Sequence, residues 1–280
     1  MLRRRSLFAA GLLPGAATPA TTTLALAALG RRHGGRLGVA MLESASGRVW
    51  AHRAAESFPL CSTFKFLAAA CVLARVDRGA ESLARRVAYG PEALVPYSPA
   101  TAPQAGAGGL TMAELCAAAV TLSDNTAGNL LLDSFGGPPA LTAFARALGD
   151  TTTRLDRREP ALNDVPPGDA RDSTTPLAML GLMQRTLLGT ALAPASRAQL
   201  AEWLVASRTG GQRLRAGVPA GWRVGDKTGG GPRTATHDLG VIWPPGRAAV
   251  LVAAYYIDAG GSEAERNAVL AEVGRLAAGL

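Results

Sequence analysis

Cys61-Ser62-Thr63-Phe64-Lys65 opens an Ala- and Leu-rich run that continues to Ala74 and stops near Asp77-Arg78-Gly79. Its periodicity predicts a helix with Ser62 at the N-terminus, where free backbone N–H groups favour a developing negative charge. On such a helix Ser62 and Lys65 share one face with Cβ atoms roughly 5–6 Å apart, so the amine reaches the hydroxyl. A serine hydroxyl becomes a nucleophile only when a neighbouring group takes its proton. The spacing alone is weak, since about one Ser-x-x-Lys arises by chance in a chain of this length. Composition strengthens it: of 29 Lys+Arg only Lys65 and Lys227 are lysines. Arginine stays charged in proteins, whereas a buried lysine can lose its proton or act as a compact cation.

Outward from that helix, the 280 residues are 48% hydrophobic, enough for one domain or two closely packed ones. Met1 to Arg5 is a basic segment, Leu7 to Leu13 is mainly apolar, and small residues follow to Ala20, which reads as an export signal over residues 1–20. Arg4-Arg5-Ser6-Leu7-Phe8 suits the twin-arginine route, and the apolar part is too short for a membrane anchor. Removing Arg3, Arg4 and Arg5 lowers the net charge from +8 to about +5. The remaining arginines are scattered and rarely interleaved with aromatics, so a nucleic-acid groove is not indicated, and with no later stretch that looks transmembrane no membrane partner is expected. His33, His52 and His237 show no metal-ligand spacing, and no metal or cofactor is expected. Of three cysteines, Cys71 and Cys116 could pair, although each defaults to a small buried hydrophobe.

A short helix is expected over Thr23–Arg32, then strands Arg36–Glu43 and Arg48–His52 joined by a turn at Ser44–Gly47. Tyr89–Gly109 is loop-like, with Tyr97 either a ligand-stacking wall or a turn residue covering core. Thr111 and Glu114 form a capping box, and that helix gives way at Ser123-Asp124-Asn125 before another over Thr126–Leu132. Helices over Pro138–Leu148, Pro176–Leu188 and Pro194–Val205 follow, around an aperiodic stretch from Asp150 to Thr175 whose length points to function. Strands Trp222–Thr228, Asp238–Trp243 and Ala249–Ile257 precede a C-terminal helix capped by Ser262 and Glu265. Two strands from the start and three from the end predict an α/β (α+β) fold. It comprises a five-stranded antiparallel sheet flanked by helices, with an all-helical part inserted between the sheet segments. The corresponding domains are 21–61 with 208–280, and 62–207, with a small-molecule cleft between them.

Ser62-x-x-Lys65, Ser123-Asp124-Asn125, Lys227-Thr228-Gly229 and Glu159 together resemble the class A serine β-lactamases of the penicillin-recognising serine enzymes. The resemblance covers nearly the whole mature chain in order and spacing. It implies hydrolysis of the β-lactam ring of penicillins or cephalosporins, with antibiotic resistance as the consequence. Ser62 would be acylated, and the N–H groups of Ser62 and Gly230 would form the oxyanion hole. Either Lys65 or Glu159, through a water, would take the serine proton. Ser123 would relay a proton to the leaving nitrogen, Asn125 would bind the substrate's side-chain amide, and Lys227, Thr228 and Gly229 would line the carboxylate site beside Tyr97. Glu159 and Asn163 would hold the deacylating water on an omega-type loop over 154–172, closed at its neck by Arg157 and Asp172. That pair is worth about 0–1 kcal/mol if it is merely a surface ion pair.

This chain departs from the family pattern in places. His237 or Thr236 falls where many members carry an arginine, and Arg213 matches the alternative source of that guanidinium. The turn after Gly229 looks about one residue short at Gly230-Gly231-Pro232. Gly231 stands where a carbapenem-hydrolysing subgroup has a cysteine that would pair with Cys61, so that disulfide is not expected. A penicillin-binding transpeptidase or a once-acylated sensor shares the serine, lysine and Lys-Thr-Gly elements, and Glu159 is what favours hydrolysis over both. The family's habit is monomeric.

Overall fold

The computed structural model describes residues 19–280. The expected export signal over residues 1–20 therefore lies outside the described residues, except that Pro19 and Ala20 already belong to the first helix, α1 (Pro19–His33), which begins four residues before the expected start. Strands β1 (Arg36–Glu43) and β2 (Val49–His52) form the expected hairpin. A single 3-10 turn, Cys61–Thr63, then leads into α2 (Phe64–Asp77), so Ser62 sits just ahead of the α-helix proper.

The run from Phe64 to Ala74 is buried all round. A helix apolar on every face belongs in the middle of a core, and α2 is packed among α3 (Met112–Thr121), α4 (Asn125–Phe135), α5 (Pro138–Ala147) and, past α6 (Pro176–Met183), α7 (Pro194–Val205). The Thr111–Glu114 capping box is present in full, and Asp124 caps α4 by accepting from Ala127 N–H. After α6 the chain continues in a π-turn, Gln184–Leu188, where Thr186 Oγ1 donates to Leu182 O at 2.8 Å.

The chain returns to the sheet with β3 (Arg223–Gly231), β4 (Ala235–Trp243) and β5 (Val250–Ile257), and ends in α8 (Glu263–Ala278). The sheet is five-stranded and antiparallel, in the order β2-β1-β5-β4-β3, as the sequence predicts. On central β5, Leu251, Ala253, Tyr255 and Ile257 join one core with α2 and its neighbours, while Val250, Val252, Ala254 and Tyr256 join a second with α1 and α8. Side chains of a strand alternate between faces, so one strand serves two cores.

The β3–β4 hairpin departs from expectation. Each strand runs three residues further than the apolar pattern suggests, carrying Gly229, Gly230 and Gly231 into the ladder opposite His237, Thr236 and Ala235. Glycine is a poor strand former, and the pairing is tertiary in origin because β3 packs against the turn that bears Ser62. The tight loop contains Arg233 and Thr234 at φ 56° and 55°. Thr234 Oγ1 accepts from Ala259 N–H and Arg233 O accepts from Asp258 N–H, which hold that left-handed pair in place.

Candidate active site

The helical spacing delivers what it promises: Lys65 Nζ lies 2.8 Å from Ser62 Oγ. The same amine lies 2.9 Å from Ser123 O, 2.5 Å from Asn125 Oδ1 and 2.9 Å from Glu159 Oε1. Four oxygens compete for at most three ammonium hydrogens, so the set is poised to redistribute a proton. The Lys65 and Glu159 side chains are both fully buried. Burial pushes the Lys65 amine below its ordinary range, and Glu159 opposes that shift. Ser62 Oγ completes the triangle, 3.3 Å from Glu159 Oε1.

Ser123 joins the two lysines. Its backbone adopts φ 60°, its carbonyl accepts from Lys65, and its Oγ accepts from Lys227 Nζ at 2.9 Å. Lys227 is fully buried and also donates to Thr228 O at 2.7 Å. Burial, reinforced by the charge of Lys65, drives its amine well below the usual lysine value. Thr228 Oγ1 is 2.7 Å from Thr209 Oγ1, a neighbour not singled out in the sequence.

The turn that bears Ser62 packs directly against β3. A Cβ on Gly229 would meet Thr63 Cγ2 at 3.1 Å, and one on Gly231 would meet Cys61 Sγ at 3.2 Å. Ser62, between Cys61 and Thr63, therefore comes opposite Gly230. Cys61, Cys71 and Cys116 are all free and buried, so Cys71 and Cys116 do not pair, and burial pushes the Cys61 thiol up to about 12.

The stretch between Asp150 and Thr175 is held at both ends of its functional part. Asp172, fully buried, accepts from the N–H groups of Asp156 and Arg157 at 2.7 and 2.9 Å and from Arg157 Nε at 2.6 Å. The Arg157–Asp172 pair is thus no surface ion pair. We expect Asp172→Ala to lower stability by about 2–4 kcal/mol, because buried donors lose their acceptor. Turnover should fall with it as the loop loosens, and an unchanged melting temperature would refute this account.

Within the loop, Glu159 precedes a cis proline, and its Oε2 accepts from Asn163 Nδ2 at 2.5 Å. Asn163 Oδ1 is buried without a hydrogen-bond partner among the described residues. Asn129 clamps Glu159 from α4: its Oδ1 accepts from Glu159 N–H at 2.9 Å and its Nδ2 donates to Glu159 O at 3.0 Å. Asn129 was missed in the sequence, although it lies four residues after Asn125, on the same face of a mostly apolar helix. Asp124, besides capping α4, accepts from Ala100 N–H, Thr101 N–H and Thr101 Oγ1, which ties the loop bearing Tyr97 to α4.

The remaining candidates form the rim. Tyr97 is 61% exposed at φ 63°, its carbonyl accepting from Asn125 N–H at 2.9 Å. It covers no core, so the reading of Tyr97 as a turn residue over core is set aside. Asn125 Nδ2 donates to Pro96 O at 2.8 Å, using one of two hydrogens. Arg213 Nη1 donates to Gly229 O and His237 O, each at 2.8 Å, and its Nε to Asn267 Oδ1 at 2.9 Å, which places the guanidinium beside the Lys227-Thr228-Gly229 strand. His237 is fully buried, its Nδ1 accepting from Tyr256 N–H at 3.2 Å.

Burial and Arg213 hold the His237 imidazole down to about 3. Unfolded, it takes a proton near 6.5. Between those values the unfolded chain binds the extra proton, so stability falls as pH drops through this window, by about 1.4 kcal/mol per unit from this residue. Denaturation midpoints for the protein and His237→Asn should diverge from pH 7 to pH 4, with the variant flatter. Parallel profiles would rule out His237 as a source of acid sensitivity.

Comparison with known proteins places this geometry. The family model described as "Beta-lactamase enzyme family" matches residues 21–279. The chain is 45% identical to Beta-lactamase CTX-M-8 of Citrobacter amalonaticus over 251 residues, 90% of this chain and 86% of that protein. It is 48% identical to the Carbapenem-hydrolyzing beta-lactamase KPC of Klebsiella oxytoca over 245 residues, 87% and 83% of the two chains. Among solved structures, an ancestral class A β-lactamase is 60% identical with a TM-score of 0.89, covering 91% of this chain and 98% of that one. Such identity and coverage, with the fold shared, leave one assignment: the chain belongs to the β-lactamase enzyme family, as a β-lactam-hydrolysing enzyme of class A.

Proposed function

We propose that the chain opens the β-lactam amide in two steps at Ser62, protecting its host from β-lactam antibiotics. The observation that carries this reading is the position of Ser62 Oγ between Lys65 Nζ and Glu159 Oε1, both fully buried. In acylation Ser62 Oγ attacks the lactam carbonyl, and its proton passes to Lys65 or, through a water, to Glu159. The N–H groups of Ser62 and Gly230 receive the oxyanion. Ser123, with Lys227 on its Oγ, delivers a proton to the departing nitrogen. In deacylation Glu159 takes a proton from water, and Asn163 Oδ1, which has no partner among the described residues, is available to orient that water. The steps use protein groups and water alone.

The free hydrogen of Asn125 Nδ2 meets the substrate's side-chain amide, Tyr97 walls the site, and Lys227, Thr228, Gly229 and Arg213 surround the substrate carboxylate. Arg157 and Asp172 keep the loop closed. The helical region 62–207 and the sheet region 21–61 with 208–280 act as two domains meeting at this cleft. The working form is an exported monomer, sent out by the twin-arginine signal, with no nucleic-acid or membrane partner. Among the described residues no helix is long and apolar enough to cross a membrane.

A chromogenic cephalosporin tests the reading. Ring opening should continue far past one equivalent of enzyme, whereas a burst that stops at one equivalent would mean a trapped acyl-enzyme and a penicillin-binding protein or sensor.

A further inference from the structure

Two buried carboxyls on neighbouring strands have no part in the steps above. Asp226 on β3 and Asp238 on β4 are both fully buried. Across the ladder Asp226 faces Gly240 and Asp238 faces Thr228, so the two side chains share one face of the sheet a diagonal step apart. Each spends one oxygen on the segment that follows α7. Asp226 Oδ2 accepts from Arg215 Nε at 2.9 Å, and Asp238 Oδ2 accepts from Leu214 N–H at 3.1 Å. The other oxygen of each, Oδ1, is buried with no partner among the described residues.

Two ionised carboxylates here would leave both acceptors desolvated and repelling each other. A single proton between them removes both problems. The charged groups around the pair are Arg215 on Asp226, Arg213 between β4 and α8, Lys227 on the other face of β3, and Glu263 beyond Arg213. Burial and Asp226 raise the Asp238 carboxyl well above its ordinary value, against the pull of Arg213 and Lys227.

We propose that Asp238 is a neutral carboxyl that donates to Asp226 Oδ1, and that this pair is the positioning device that aims Arg213 at the substrate carboxylate. Leu214 and Arg215, the two residues it grips, directly follow Arg213. On the other side of Arg213, a Cβ on Gly210 would lie 2.5 Å from the Asp226 carboxyl, so the segment passes in close contact over the pair. From a segment fixed at these points, Arg213 lays its guanidinium onto Gly229 O, His237 O and Asn267 Oδ1. The inference rests on the reading of Arg213 as a carboxylate-binding group.

Asp238→Asn separates a neutral donor from an ion. Its Oδ1 accepts from Leu214 N–H and its Nδ2 donates to Asp226, so KM for a penicillin should stay within about twofold at unchanged kcat. Asp238→Ala removes both bonds and should raise that KM about tenfold with little change in kcat, while the methyl ester of the same penicillin should not distinguish the variants. Difference infrared spectra at neutral pH should show a protonated-carboxyl band in the native protein that Asp238→Asn lacks. No such band, or an Asp238→Asn as damaged as Asp238→Ala, would overturn the shared proton. If Asp238→Ala does not fold, the band and the Asp238→Asn KM still decide. An Arg213→Ala enzyme with unchanged KM would instead refute the carboxylate-binding reading beneath it.

Discussion

Ser62→Ala should reduce β-lactam turnover by about 10⁴- to 10⁶-fold, the scale seen when a catalytic nucleophile is removed from a pre-built site. Truncation deletes the only atom that the mechanism makes covalent. It should leave the surrounding network standing, because Lys65 keeps Ser123 O, Asn125 Oδ1 and Glu159 Oε1 as acceptors. Stability should therefore change by less than about 1 kcal/mol. Intact mass after mixing with a penicillin should show no adduct. Turnover at even a tenth of the native rate would remove Ser62 from the chemistry and require another nucleophile.

Much of this site is legible in the chain because its chemistry is carried by short local patterns. Ser62 and Lys65 are one helical turn apart, so a spacing rule is enough to bring the atoms together. The scarcity of lysine marks the second cation, and Lys227 does converge on Ser123 with Lys65. The sheet is equally plain, since the near-continuous apolar runs of β1 and β5 announce strands buried on both faces.

Long-range support is harder to read. Asn129 is an ordinary polar helix residue until the loop folds back and presents the Glu159 backbone to it. Asp226 and Asp238 look like strand carboxylates with no partner in view, and only the ladder register puts them on one face. The extension of β3 through three glycines violates strand propensity, and contact with the Ser62 turn overrides it. In each case the deciding partner lies on another element, so no pattern within one element encodes it.

Glu159→Gln should convert turnover into a single burst, with deacylation slowed by about 10³-fold and an acyl adduct on Ser62 accumulating to one equivalent. The substitution is nearly isosteric. With Oε1 still facing Lys65, the new amide would point its hydrogens at Asn163 Nδ2, and Asn163 can turn inward its Oδ1, which has no partner among the described residues, to accept them. The loop should then keep its shape, so lost deacylation reports lost base strength instead of a collapsed site. KM should fall along with kcat, because a slow second step lets the covalent intermediate build up. The burst rate carries further information. Removing the Glu159 charge takes away the attraction that opposes desolvation of Lys65, so the buried amine drops further and its neutral form gains. A fast burst in Glu159→Gln would make Lys65 the base for acylation, and a burst slowed as much as deacylation would give both proton transfers to Glu159. Native turnover in the variant, with no adduct, would contradict the deacylating role altogether.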